Sequence, residues 1–394
     1  MSYRLRQLWG FIALAFLPLV LLGCPPSSKP PAPVASIKPC NGGTPCFLTR
    51  KGIGSTQEAQ AYYDTIDPNH TKTTLGDWLA QNGFTSIFPA ETAHAVYFNN
   101  GDLQIGRDMY CRMALPTTPA LRVACYVTNY GPAPGTATYP DETTALADAV
   151  AAQNPNAVKK LFATVAMEYN GTPIFGLGNP RQVDFYVFDA QGNRIQAAAL
   201  DSEGAKAIPQ MCMACHGGSY DTQTHHVTGA SFLPFDVFSF HYSQTQGYTR
   251  ADQEEQFRKL NAIVKQLGTT PAIGEMIDVL YPQGVANAGS TASDTQVPTG
   301  WGSQPNLYKN FFTPYCRSCH VASTAFPFSA YQDFKSQASL IRGDVCRAHV
   351  MPHAEVPFNR IWTPGLGFLL SPFVLDDPNV MPAPAGPPDA KCAS

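Results

Sequence analysis

Two pentapeptides carry the residues of this 394-residue chain whose types and spacing could do chemistry: Cys212-Met213-Ala214-Cys215-His216 and Cys316-Arg317-Ser318-Cys319-His320. In each, two thiols three positions apart share one turn of helix, and an imidazole follows directly. Such a turn suits covalent capture of a porphyrin through its two vinyl groups, with the histidine meeting the iron from one face. With eleven cysteines and nine histidines in the chain, random placement would give about 0.007 such pentads, so finding two excludes coincidence. A thioredoxin-like pair calls for a single Cys-x-x-Cys beside a βαβ pattern, and a zinc site has no need of the trailing histidine.

On these six residues the sequence resembles the c-type cytochromes. The resemblance implies two covalently attached haem c groups, with Cys212, Cys215, Cys316 and Cys319 as thioether donors and His216 and His320 as iron ligands. It covers the last half of the chain and is silent on the first. What occupies the opposite face of each iron decides between electron transfer and small-molecule binding. For the second haem, Met351 lies downstream of a helix and precedes Pro352, which resembles the methionine-proline ligand of small class I cytochromes c. Met381 has the same local pattern with a longer reach, and His349 and His353 are the histidine alternatives. For the first haem His226 and His225 lead, with His241, Met109, Met113 or an open position beside them.

The elements that must position these groups read as an α+β chain: a β-leaning first part, then a mainly helical, loop-rich, cytochrome c-like dihaem region. A helix is expected around Leu75 to Ala80, and an alanine-rich one over Thr143 to Gln153. Strands are expected at Arg122 to Val127, at Leu161 to Tyr169 turning at Asn170-Gly171 into Pro173 to Phe175, and at Val183 to Phe188 pairing with Arg194 to Gln196. Within this part no nucleophile-base pair, phosphate loop or metal-ligand spacing stands out.

Past the first pentad, the aromatic run Phe232 to Phe238 is a candidate pocket wall. Thr249-Arg250-Ala251-Asp252 reads as a capping box opening a helix whose stripe is Phe257, Leu260, Val264 and Leu267, ending at Gly268. Residues 284–305 read as a linker, and Tyr331 to Ile341 as a further helix.

At the N-terminus Arg4 and Arg6 precede an apolar run from Leu8 to Leu22, of secretory-signal length. It ends in Leu21-Leu22-Gly23-Cys24, which resembles a bacterial lipobox. That resemblance implies cleavage before Cys24, lipidation of its thiol, and, because Pro25 is not Asp, an outer-membrane destination facing the periplasm or cell surface. The proline-rich stretch after Cys24 reads as an extended tether. The expected organisation is therefore signal peptide 1–23, tether 24–47, β-leaning domain 48–200, first haem subdomain 201–290 and second haem subdomain 291–394.

Six cysteines remain once Cys24 and the four haem cysteines are set aside, an even number that suits disulfides in an exported chain. The least loop-closure cost favours Cys40–Cys46, Cys111–Cys125 and Cys346–Cys392. A net charge of −3 offers nothing to nucleic acid, while 14% charged residues, against roughly 25% in typical soluble domains, leave much apolar surface to be covered. The expected function is electron transfer between redox protein partners, other cytochromes or a membrane oxidoreductase, by a chain held on a membrane through its lipid. The alternative is a dihaem peroxidase or oxygenase with its catalytic centre at the first haem.

Overall fold

The computed structural model describes residues 55–85, 92–114, 122–131, 142–158, 160–170, 183–200, 204–267, 270–323 and 325–341, together with residue 357. The fold is α+β. Its centre is an antiparallel sheet of β1 (Thr92–Asn99), β2 (Ile105–Ala114), β3 (Arg122–Tyr130), β4 (Leu161–Asn170) and β5 (Val183–Asp189), which follow one another as a meander. A two-residue strand from much later in the chain, Phe240–His241, pairs with Asn99 and Phe98 at the β1 edge. The sheet is thus completed by the segment that follows the first pentad, across the boundary read at residue 200.

Of the expected strands, Arg122–Val127, Leu161–Tyr169 and Val183–Phe188 are present, as β3, β4 and β5. β4 is flanked along its length by β3 and β5; the expected hairpin partner at 173–175 and its Gly171 turn lie outside the described residues. The expected pairing of Val183–Phe188 with Arg194–Gln196 is reduced to the single bridge Phe188↔Arg194. There the Asp189 carboxylate accepts from the backbone of Gln191 and Asn193, closing a turn too tight to continue the ladder.

Before the sheet come α1 (Thr56–Ile66) and α2 (Leu75–Gln81), the latter opened by a capping box between Thr74 and Asp77. α3 (Glu142–Ala151) crosses β1 and β2 at Gly106, where a Cβ would come within 2.1 Å of the Ala145 carbonyl oxygen, so only glycine permits the approach. Both sheet edges are covered by side chains. The hydroxyls of Tyr62 and Tyr63 accept from the β5 amides of Phe185 and Val187 at 2.7 and 3.3 Å. At the β1 edge the Gln253 amide accepts from Val96 N at 2.6 Å and donates to Val96 O at 2.9 Å, imitating a strand neighbour.

The helix bearing the first pentad, α4 (Gln210–His216), packs beneath the sheet, followed by α5 (Glu254–Gln266) and α6 (Pro271–Leu280). The Thr249–Asp252 box forms, but it closes a turn of its own and α5 starts at Glu254. The stripe Phe257, Leu260, Val264 and Leu267 is buried as expected. One core runs from Tyr62 through the sheet to Ala322, and a smaller one gathers around Trp301. Residues 284–305 carry no long element yet are pinned, with Arg258 Nη1 donating to Val285 O at 2.6 Å and Ala292 N to Glu254 at 2.6 Å. Among the described residues no helix is long and apolar enough to cross a membrane.

Candidate functional site

The first pentad occupies most of α4, and its second half faces the sheet. Gly217 ends the helix at φ +68, a left-handed conformation that suits glycine. His216 Nδ1 pairs with the backbone carbonyl of Ser231 at 2.9 Å, and the Phe185 ring lies 5.5 Å from the imidazole. A carbonyl on Nδ1 fixes the tautomer and leaves Nε2 as the nitrogen for a metal. Burial draws His216 down to about 4, against the raising effect of the Ser231 carbonyl, so the ring is neutral near pH 7 and competent as a ligand.

The second pentad is built differently. Tyr308–Arg317 winds as a π-helix with Pro314 inside it, and a single α-turn, Ser318–His320, completes the motif. Packed on this segment are Trp301, Phe328 and Phe334; Trp301 stacks on Phe312 at 4.8 Å and donates from Nε1 to Phe328 O at 2.9 Å. Here too the histidine anchors through Nδ1, 3.1 Å from the carbonyl of Phe326, while Phe328 stacks on the ring at 4.6 Å.

Between the sheet and the pentads lies a cavity of about 410 Å3. Its upper wall is one face of the sheet, contributed by alternate residues in register. Met109, Val127, Val165 and Val187 form one row across β2 to β5, and Cys125, Met167 and Phe185 form the next. Cys125 is bonded to Cys111 directly across the β2–β3 pair, so the expected Cys111–Cys125 disulfide staples that wall. The lower wall is Cys212, Cys215, His216, Phe232, Leu233, Phe235 and, from the second pentad, Cys319. The aromatic run after the first pentad is therefore a wall over Phe232 to Phe235, whereas Phe238 points outward beneath Arg250.

One end of the cavity is polar. Arg107 pairs with Asp102 at 2.5 Å, and its cross-strand neighbour Asn129 donates to Ala163 O at 3.2 Å. Among the described residues Asn129 Oδ1, Arg107 Nε and Asp236 Oδ1 are buried without a hydrogen-bond partner. Buried polar atoms left open in this way suit a polar group of a bound molecule.

The donor set fits a porphyrin held by thioethers better than a bare ion. Cys212, Cys215, Cys316 and Cys319 are all free of disulfides. Burial pushes Cys212 far up and Cys316 to about 12, and the contact with Cys215 raises Cys319 most, so these three are held as thiols. Among the described residues no three of His, Cys, Asp and Glu converge as a metal cage.

The structure sorts the distal candidates. Met109 lines the cavity. His225 instead faces Tyr220 Oη at 2.9 Å and Glu58 at 3.5 Å, and His241 faces Glu142 at 2.8 Å. His226 and Met113 are not on the cavity wall either. Met167 and Met276, which the sequence did not single out, do line it; strand alternation could have flagged Met167, since it shares a face with Cys125 and Val165. Met351, Met381, His349, His353, Cys24 and the pairs Cys40–Cys46 and Cys346–Cys392 lie outside the described residues. No protein-family model matches the chain, no curated protein matches it in sequence, and no solved structure matches its fold.

Proposed function

We propose that the chain is a dihaem c-type cytochrome, tethered to a membrane through Cys24, that carries electrons between redox protein partners on the periplasmic or outer face of the cell. The observation that carries this reading is the shared anchoring of the two pentad histidines: His216 and His320 each hold Nδ1 on a downstream backbone carbonyl, at 2.9 and 3.1 Å. The same Nδ1 anchoring on two different helical scaffolds supports an axial-ligand role for both imidazoles. The haems supply one-electron chemistry. The chain supplies four thiols free of disulfides, two carbonyl-anchored imidazoles, and a largely apolar enclosure that would set the potential through burial.

The alkaline pyridine spectrum and intact mass of the exported protein test this directly: two haems per chain, resistant to acid-acetone extraction, are expected. A chain that matures without haem sinks it. A second reading, a peroxidase or oxygenase centred at the first haem, draws on the unpaired Asn129 Oδ1 and Asp236 Oδ1 and on Arg107 at the polar end of the cavity. Steady turnover of peroxide, lost on substituting Arg107, would favour it over simple transfer; reduced protein indifferent to carbon monoxide and peroxide would favour the carrier.

A further inference from the structure

The two pentads are far apart in sequence and meet in space. Cys215 Sγ and Cys319 Sγ are 3.3 Å apart, and α4 packs against the turn of Ser318–His320. Three features hold the meeting point. Arg317, which stands between the two cysteines of the second pentad, directs Nε and Nη2 at Asp236 Oδ2, with Nε at 3.0 Å, while its Nη1 donates to Tyr308 Oη at 3.0 Å. The side chains of this ion pair are only 12% and 7% exposed, so it is a buried contact that joins the segment after the first pentad to the core of the second. Gly217, ending the first pentad, lies so close to Ala322 that a Cβ would come within 2.2 Å of its carbonyl oxygen. Thr270, at the start of α6, donates to Val321 O at 3.2 Å.

We infer that Arg317 and Asp236 are positioning residues that clamp the thioether-bearing edges of two porphyrins against each other at Cys215 and Cys319. Haems held on these two cysteines would exchange an electron across this sulfur–sulfur contact. The inference rests on the dihaem reading above. The chemistry the haems would supply there is one-electron exchange, ferrous to ferric at one iron and ferric to ferrous at the other, with no bond or proton moved. Porphyrins attached through these two touching sulfurs would approach at their thioether substituents, so the charge on one would be felt by the other through a low-dielectric gap. The Arg317–Asp236 pair at the junction would then set how closely they approach and how strongly they couple.

The experiment uses the full exported holoprotein. Haem count by pyridine spectrum and intact mass comes first: fewer than two haems defeats the dihaem reading itself. With two haems confirmed, Soret circular dichroism and electron paramagnetic resonance of the ferric protein read the coupling. The wild type is expected to give a bisignate Soret couplet and mutually broadened resonances. Arg317→Met and Asp236→Asn are each expected to lose the couplet while keeping both haems, and Arg317→Lys to restore part of it. Two haems with a single unsplit Soret band and independent resonances in the wild type would overturn the inference, even if both variants fail to fold. So would a couplet that survives both variants unchanged. A disulfide between Cys215 and Cys319 in the mature protein would overturn it too, since those sulfurs could not then be thioethers.

Discussion

The first pentad ends an α-helix pressed against a six-stranded sheet, whereas the second closes a π-helix wrapped in aromatic rings contributed by residues 301–334. The surroundings of His216 come from the whole chain: Phe185 from β5, Ser231 from the following loop, Met109 from β2 across the cavity. Those of His320 come from its own neighbourhood, Phe326 and Phe328. One five-residue pattern can therefore be central to a fold in one place and a satellite in another. A cofactor at the first pentad fills the middle of the main core; one at the second would complete a local cluster.

The strongest way to break that comparison is to empty each pentad in turn. At about 24 cal/mol per Å3, leaving the cavity of about 410 Å3 unfilled costs on the order of 10 kcal/mol, comparable with the whole stability of an ordinary domain. Cys212→Ala with Cys215→Ala is expected to abolish the cooperative calorimetric transition, while Cys316→Ala with Cys319→Ala removes one haem and keeps it. Equal losses would erase the distinction.

Trp301→Ala tests the satellite character of the second cluster. It removes a fully buried ring and the donor to Phe328 O, at a cost of about 3–5 kcal/mol. Amide exchange is expected to rise over 305–323 and 325–336 and to stay slow in β1, β2 and β3. Spreading of the loss into the sheet would show a single cooperative unit.

Opening the stapled wall is expected to touch only the first site. Cys111→Ala with Cys125→Ala releases a loop of 14 residues, worth about 3 kcal/mol. Chemical denaturation gives the cost, and the low-temperature spectrum should shift for one haem and not the other. Gly217→Ala forces a side chain into φ +68 at about 1–3 kcal/mol and, with its Cβ against the Ala322 carbonyl, pushes the pentads apart. Its melting point should fall while haem count stays constant.

Much of this was legible in the sequence because the signals were local. Turn and alternation cues located β3, β4, β5, α2 and α3, and the least-closure argument found Cys111–Cys125, which proves to be a directly opposed pair in neighbouring strands. What was not legible was tertiary. Alternation shows that Val127 and Asn129 share a face, but not that α4 lies opposite that face. Closeness along the chain favours His225 and His226 as ligands, yet of the candidates offered by the sequence it is Met109, about a hundred residues upstream of His216, that lies on the cavity wall. The meeting of Cys215 and Cys319 likewise has no local signature.

The strand Phe240–His241 and the Gln253 amide that seal the β1 edge both follow the first pentad in sequence. Until that segment docks, β1 presents unpaired backbone along its outer side, while β5 is already shielded by tyrosines that precede it in the chain. A chain caught before that segment docks is open on one side only, and the expected failure is edge-to-edge dimerisation through β1.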